Sequence, residues 1–198
     1  MPATYALTDY YNSVQDWIPT LASLPQASVY RQINKARRTL ARETDATITT
    51  YPFPFVVGQE SYAFPTVNGC IMQVIMETYY YNGNMRIPPF GSLPRVLIGS
   101  EWWSGFQSWP LSYYDLNGSV YYWPIPAFAY SAYVKGKLDP IDLTTSSGTD
   151  TIIDPRFQDA VVPLASKYCA LLDGNIDLAN AMEAEYRLTL SRLPRHFL

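Results

Sequence analysis

Helical periodicity is confined to the two ends of this chain, and this most strongly limits the folds that it can adopt. Apolar residues recur at helical spacing before residue 45 and after residue 150, whereas residues 46–149 carry β-branched and aromatic runs broken by prolines. Amphipathic helices must bury their apolar stripes against another element. We therefore predict an α+β fold, with a helical bundle domain from residues 1–45 plus 150–198 and a β-rich domain, an antiparallel sandwich or barrel-like sheet, from residues 46–149.

Two helices are predicted before residue 45. The first spans residues 7–18, with Thr8 as its candidate N-cap and Pro19 at its end. The second follows Ser23, whose spacing to Gln26 matches a capping box. This second helix is amphipathic because its apolar residues form one stripe: Val29, Ile33, Ala36 and Leu40.

A basic face lies opposite that stripe. Residues 26–43 carry five basic side chains and one acid, and four of the basic residues lie about 200° around the helix from the stripe: Arg31, Lys35, Arg38 and Arg42. Such a face can contact phosphate or an acidic partner. It can also be solvated, or pair with acids near the C-terminus: Asp173, Asp177, Glu183 and Glu185. Because the net charge is −3, we favour a solvated face or a contact between subunits over nucleic-acid binding.

The middle of the chain is predicted to form short strands. Runs rich in β-branched and aromatic residues occupy 47–51, 71–81, 112–115, 119–123 and 128–138. Asn82-Gly83 and Asn117-Gly118 are predicted hairpin turns, since both residue types tolerate positive φ. Residues 92–103 are predicted to interrupt the sheet as a short helix.

The C-terminal segment predicts a helical hairpin. Asp154 and Pro155 supply an N-cap and a first-turn proline, and Gly174 suits the left-handed position that ends a helix. Apolar residues continue at helical spacing on both sides of Gly174. Pro163 lies inside the first helix and is expected to kink it.

Residues for catalysis or metal binding are sparse. His196 is the single histidine, and Cys70 and Cys169 are isolated, which favours buried free thiols. Asp139, Asp142 and Asp150 lack the spacing of a calcium loop and are interpreted as a solvated loop. We expect a non-enzymatic protein without catalytic residues, metal or cofactor.

The sequence shows neither a signal peptide nor an apolar run of about 20 residues, so we expect no membrane contact and synthesis in the cytoplasm.

The aromatic content is high, with 17 Tyr, 5 Trp and 8 Phe. Four large aromatic residues fall within 101–110: Trp102, Trp103, Phe106 and Trp109. Leaving them in water is costly, so they either fold into a local core or meet a partner. A partner is our expectation. Tryptophans that stack on sugar rings keep a carbohydrate-binding β-sandwich open as an alternative. A hydrolase that uses paired carboxylates is a third possibility, with Glu60, Glu77, Glu101 and Asp115 as candidates.

Three motifs carry a resemblance to a known family. They are Gly58-Gln59-x-x-Tyr62-x-x-Pro65, Tyr113-x-x-x-Asn117-Gly118 followed by Tyr122-x-Pro124-x-Pro126, and the helix–Asp-Gly-Asn–helix end. In this order they resemble the head-to-tail adaptor (tail tubular protein A-like) proteins of short-tailed bacteriophages, over nearly the whole chain. Pro163 and the aromatic 101–110 loop depart from the family's pattern.

The resemblance implies a structural virion protein of the neck and tail, present in the host cytoplasm during assembly. It implies a homo-oligomeric ring, typically a dodecamer, between the portal protein and the tail nozzle protein, through which double-stranded DNA passes without sequence recognition. We predict the basic face, the four aromatic residues of 101–110 and the C-terminal Arg195, Phe197 and Leu198 as interface residues, the last three docking on the portal. A carbohydrate-binding module of a phage tail remains the alternative.

Overall fold

The computed structural model describes residues 4–18, 23–80, 86–87, 107–116, 118–145 and 148–193. The chain divides into two compact units. One unit, which is helical, contains residues 1–47 and 139–198, and the other, which is β-rich, contains residues 48–138. The predicted α+β class is confirmed, with helices packed together and a mainly antiparallel sheet. Residues 139–149, which the sequence placed with the strands, lie in the helical unit.

The described helices are α1 (Leu7–Trp17), α2 (Gln26–Glu43), α3 (Pro155–Leu172) and α4 (Ile176–Arg192). The predicted start of α3 is confirmed, because the Asp154 carboxylate accepts a hydrogen bond from the Arg156 N–H at 2.9 Å. Gly174 has φ +77° where the hairpin turns, as expected of a residue that ends a helix. The side chain of Asn175 caps α4 by accepting from the Leu178 N–H at 3.0 Å.

Two predicted N-caps are wrong. Helix α1 begins one residue before Thr8, with Ala6 at the cap, and the Asp9 carboxylate accepts from the Ala6 N–H at 2.7 Å. Helix α2 has Pro25 at its cap position and no side-chain cap, so Ser23 and Gln26 form no capping box. A carboxylate in the first turn can replace the missing hydroxyl cap in α1, because it satisfies a free backbone N–H there.

Helix α3 is the central helix of the helical unit. It contacts α1, α2 and α4, and its buried residues extend almost all round it. The surrounding core includes Tyr10, Val14, Ile33, Leu40 and Tyr186. Pro163 is buried in α3, which continues unbroken through it from Pro155 to Leu172. Neighbouring helices therefore stabilise a position where one backbone hydrogen bond is missing.

A buried ion pair joins α2 to the segment that precedes α3. Arg37 is 1% exposed and Asp150 is 0% exposed. The Arg37 Nε and second guanidinium nitrogen donate to the two Asp150 oxygens at 2.7 and 2.9 Å. Asp150 also accepts from the Tyr10 hydroxyl at 3.2 Å and from the Ile153 N–H at 3.3 Å. The prediction that Asp150 belongs to a solvated loop is wrong.

The neighbours of this pair satisfy its remaining polar groups. Arg37 donates to the Ile141 carbonyl at 2.7 Å and to the Asn34 side-chain oxygen at 3.1 Å. Asn34 also exchanges two hydrogen bonds with the backbone of Leu143. Gln158 donates to the Asp150 carbonyl at 2.9 Å. Buried charges are tolerated when their hydrogen bonds are made, so this network fixes Ile141, Leu143 and Asp150 against α1 and α2.

The described strands form three sheets. They are β1 (Ile48–Phe55), β2 (Ser61–Ala63), β3 (Thr66–Val67), β4 (Cys70–Tyr80), β5 (Arg86–Ile87), β6 (Gln107–Ser108), β7 (Ser112–Leu116), β8 (Ser119–Trp123), β9 (Ile125–Pro126) and β10 (Tyr130–Leu138). The main sheet has the order β1-β10-β4-β3, with β5 also paired to β4, and is antiparallel. A second antiparallel sheet has the order β2-β8-β7, and β6 pairs in parallel with β9.

Strand β10 organises the main sheet. Its burial alternates, with Ala132, Val134 and Leu138 on the buried face, which is the period expected of a half-buried strand. Its pairing with β4 shifts register between Lys135 and Gly136 and again between Lys137 and Leu138. Such irregularities bend a strand and increase its twist, and this main sheet is correspondingly curled.

An aromatic cluster fills the β-rich unit. The ring centroids of Phe55 and Tyr122 lie 4.6 Å apart, and those of Phe53 and Tyr62 lie 5.0 Å apart, all four side chains being buried. The Tyr122 hydroxyl shares a 3.1 Å hydrogen bond with the Thr78 hydroxyl, which links β8 to β4. Tyr62 and Tyr122 are therefore core residues, with edge-to-face packing and hydrogen-bonded hydroxyls.

Two hairpins turn at glycines with positive φ. Gly118 has φ +76° between β7 and β8, whose ends pair at Leu116 and Ser119 as predicted. A second turn, which the sequence analysis missed, joins β3 to β4 through Asn68 and Gly69, at φ 50° and 78°. The predicted turn at 82–83 and the predicted helix at 92–103 lie outside the described residues.

We expect Arg37→Met to lower the free energy of unfolding by about 3–5 kcal/mol, because it leaves the Asp150 carboxylate buried without its counter-charge. The matched control is Arg38→Met, at the next position. Arg38 pairs with Asp142 at 3.0 Å on the surface, so its replacement should cost less than about 1 kcal/mol. Urea unfolding followed by circular dichroism measures both, and equal losses would contradict the importance assigned to the buried pair.

The pKa of Glu183 is lowered by hydrogen bonds from Lys167 and Arg187, at 2.6 and 2.9 Å. A carboxylate whose pKa is lowered by folding stabilises the folded state at any pH above its usual pKa of about 4.3. This stabilisation is lost as the pH falls through the pKa of the folded state. We expect the free energy of unfolding of the Glu183→Gln variant to fall less than that of the wild type over this acidic pH range. Unfolding curves measured between neutral pH and about pH 3 test this, and a variant as acid-sensitive as the wild type would contradict it.

Candidate interaction surfaces

The exposed face of α2 carries the predicted basic residues. Arg31, Lys35 and Arg42 are exposed and Arg38 is half-buried, all on the side opposite the buried stripe of Val29, Ile33, Ala36 and Leu40. The fifth basic residue of the helix, Arg37, belongs to the core instead. We use the name basic face for Arg31, Lys35, Arg38 and Arg42.

Two members of the basic face are held within the helical unit. The Lys35 ammonium lies 4.2 Å from the centroid of the Tyr168 ring, a cation–π contact with α3. Arg38 pairs with Asp142. The suggested pairing with acids near the C-terminus is absent from the described part of the chain, where Glu183 binds Lys167 and Arg187. Arg31 and Arg42 have no ion-pair or hydrogen-bond partner among the described residues.

A cleft opens between α1 and α4 above α3. Its volume is about 260 Å³. Its lining combines aromatic, hydroxyl and acidic side chains, and the residues are Tyr5, Ser13, Trp17, Asp159, Val162, Pro163, Glu185 and Thr189. We call this the acidic cleft, because Asp159 and Glu185 are the only charged residues among the described residues that line it.

The two carboxylates of the acidic cleft differ in their surroundings. Asp159 accepts from the Tyr5 hydroxyl at 2.9 Å. Partial burial and this hydrogen bond raise the pKa of Tyr5, so the hydroxyl remains protonated and a donor at neutral pH. Glu185 is half-buried and has no ion-pair or hydrogen-bond partner in the described part of the chain. The cleft therefore holds net negative charge beside Trp17, which is 41% exposed.

The β-rich unit has an apolar surface around Trp109. Trp109 is 49% exposed, and its ring lies 4.8 Å from that of Tyr130 and 6.1 Å from that of Phe128, centroid to centroid. Phe128 and Leu111 are also exposed. Trp109 therefore packs on Tyr130 of β10 and still leaves about half of its side chain exposed. Trp102, Trp103 and Phe106, predicted with it, lie outside the described residues.

The described segments contain no group of three or more His, Cys, Asp or Glu side chains placed to hold a metal ion. Cys70 and Cys169 are buried free thiols, as predicted, and burial raises the pKa of Cys169 to about 12. No helix among the residues described is both long and apolar enough to cross a bilayer. What the helical unit offers is two charged surfaces of opposite sign.

The chain matches a known protein family over almost its whole length. Residues 5–196 match the family model described as SU10 adaptor protein. The chain belongs to the SU10 adaptor protein family. This confirms the predicted resemblance to phage head-to-tail adaptors and gives the protein a structural role as a phage adaptor. No curated protein matches the chain.

The adaptor's predicted interface residues are thus only partly located. The basic face and Trp109 lie at the surface. The C-terminal residues Arg195, Phe197 and Leu198 lie outside the described residues, with Trp102, Trp103 and Phe106. Whether any of them forms an interface stays a prediction.

The sequence analysis missed the acidic cleft and the burial of Arg37. Arg37 lies about 70° from the centre of the apolar stripe, whereas the basic face lies about 200° away, so helical spacing could have separated it from the others. The cleft gave no such signal, because its residues come from positions 5–17, 159–163 and 185–189, which only the packed helices bring together.

Proposed function

We propose that this adaptor forms a homo-oligomeric ring, typically dodecameric, between the portal protein and the tail nozzle protein of a phage particle, and that double-stranded DNA passes through it without sequence recognition. The match to the adaptor family over residues 5–196 carries this proposal. That match includes the helical ends of the chain, which a carbohydrate-binding module would leave without a role.

The surfaces of the adaptor support assembly with copies of itself. A ring subunit needs two different faces that match from one copy to the next. The helical unit has a basic face on α2 and an acidic cleft between α1 and α4, and the β-rich unit exposes Trp109, Leu111 and Phe128. Weakly charged, aromatic surfaces suit such contacts.

Charge supports free passage of DNA. The net charge is −3, and the basic residues of α2 are few and partly held by Tyr168 and Asp142. A continuous positive lining would bind the phosphate backbone and hold the DNA in place. A weakly acidic subunit avoids this.

Electron microscopy of the purified adaptor mixed with its portal tests the proposal. We expect particles in which one ring is stacked on the other, because the adaptor is proposed to assemble against the portal. The matched control omits the portal. An adaptor that leaves the portal unbound in gradient sedimentation and in the images would contradict the proposal.

A second experiment addresses the C-terminus. Phe197 and Leu198 follow a helix-breaking proline at 194 and are proposed to dock on the portal. We expect deletion of residues 194–198 to abolish portal binding, and the melting temperature to stay within a few degrees of the wild type because the deletion begins after α4. Replacement of Arg195 by Ala, with the apolar pair retained, is the control. Binding that survives the deletion would refute docking by this segment.

A further inference from the structure

The two charged surfaces of the helical unit complement each other. Arg31 and Arg42 carry positive charge without a partner in the described segments, and Glu185 carries negative charge without one. The charged residues of α1, which borders the acidic cleft, are Asp9 and Asp16 alone. Unpaired charges of opposite sign on one chain favour contacts between copies.

These surfaces lie on opposite sides of α3. Tyr168 marks the side that faces α2, since its hydroxyl shares a 3.2 Å hydrogen bond with Thr39 and its ring lies under Lys35. Asp159 marks the side that faces the acidic cleft. Tyr168 comes nine positions after Asp159, which is about two and a half helical turns. The two side chains therefore lie on opposite sides of α3. One copy therefore cannot bring its own basic face to its own cleft.

The acidic cleft has the chemistry that recognises a guanidinium group. Carboxylates bind arginine through two parallel hydrogen bonds, and arginine also stacks on aromatic rings. Glu185 and Asp159 supply the carboxylates, and the exposed Trp17 supplies a ring in the same cleft. Tyr5 binds the Asp159 Oδ1, and Oδ2 accepts no hydrogen bond from the described residues.

The spacing on α2 allows a contact along the helix. Arg31 and Arg42 are eleven positions apart, so they lie on one stripe of α2 and about 16 Å from each other. One arginine can enter the cleft while the other lies beside the acidic α1 of the same neighbour. The intervening Lys35 and Arg38 are already held by Tyr168 and Asp142.

We propose that the basic face of α2 in one copy docks into the acidic cleft of the next copy, with Arg31 or Arg42 between Glu185, Asp159 and Trp17. The contact is head-to-tail, because the two faces belong to different sides of each copy, and such contacts form a ring when the rotation from copy to copy closes. The inference rests on the proposed ring and names the surfaces that form it.

Cross-linking tests the contact directly. The native thiols are both buried, so a cysteine introduced at the surface is the reactive one. Chains carrying Glu185→Cys together with Arg42→Cys, or with Arg31→Cys, are treated with a short bifunctional thiol reagent, with the portal present. We expect a ladder of linked chains from one of the double variants and none from any single variant. A single variant that links to itself indicates a two-fold contact and overturns the proposal.

Charge exchange provides the second test. We expect Glu185→Arg to weaken self-association about tenfold or more, and Arg31→Glu with Arg42→Glu to do the same, since like charges then meet. Combining the three substitutions in one chain should restore association. The matched control is Glu60→Arg, the same charge change at an exposed position of the β-rich unit.

The outcomes separate this inference from the proposed function. The contact is overturned if rings form on the portal but no cross-links appear, or if the combined variant does not recover self-association. The proposed adaptor function is unaffected by either result. Failure to bind the portal overturns the proposed function, and cross-linked oligomers formed without the portal would still support the contact. A chain that neither links nor assembles overturns both.

Discussion

The ion pair between Arg37 and Asp150 is the constraint on which the helical unit depends. Two charges are removed from water there, and this is tolerable because every oxygen and nitrogen involved has a partner of suitable geometry. The pair connects a helix near the start of the chain to a segment that directly precedes α3. It therefore decides where α3 lies relative to α2, and Asn34 and Gln158 extend the same bonding to Leu143 and Ile153.

The position of α3 in turn decides which surfaces remain outside. With α1, α2 and α4 packed around it, two of its polar residues, Asp159 and Tyr168, lie on opposite sides of the helix. One helps to form an acidic cleft and the other supports a basic helix. The same core packing that stabilises the unit thus separates the charges that lack partners among the described residues.

Local signals in the sequence predicted local structure. Asp154 and Gly174 bound the helices as expected, since a cap depends on residues only a few positions away. The Asn68-Gly69 turn was equally visible and was missed. The buried pair could not be predicted, because its two residues are 113 positions apart. The polar residues around Asp150 in the sequence are equally compatible with a solvated and a buried carboxylate. The acidic cleft was hidden for the same reason, as it exists only in the packed bundle.

The helical unit is discontinuous in sequence, since residues 48–138 separate its two parts. During translation, α1 and α2 leave the ribosome long before α3 and α4. The apolar stripes of α1 and α2 therefore have no contact with α3 and α4 until the intervening strands have been synthesised. The cleft is completed only when the final helix has been synthesised. If copies meet as proposed, a nascent chain exposes Arg31 and Arg42 before its own cleft exists, so it can dock only onto a finished neighbour.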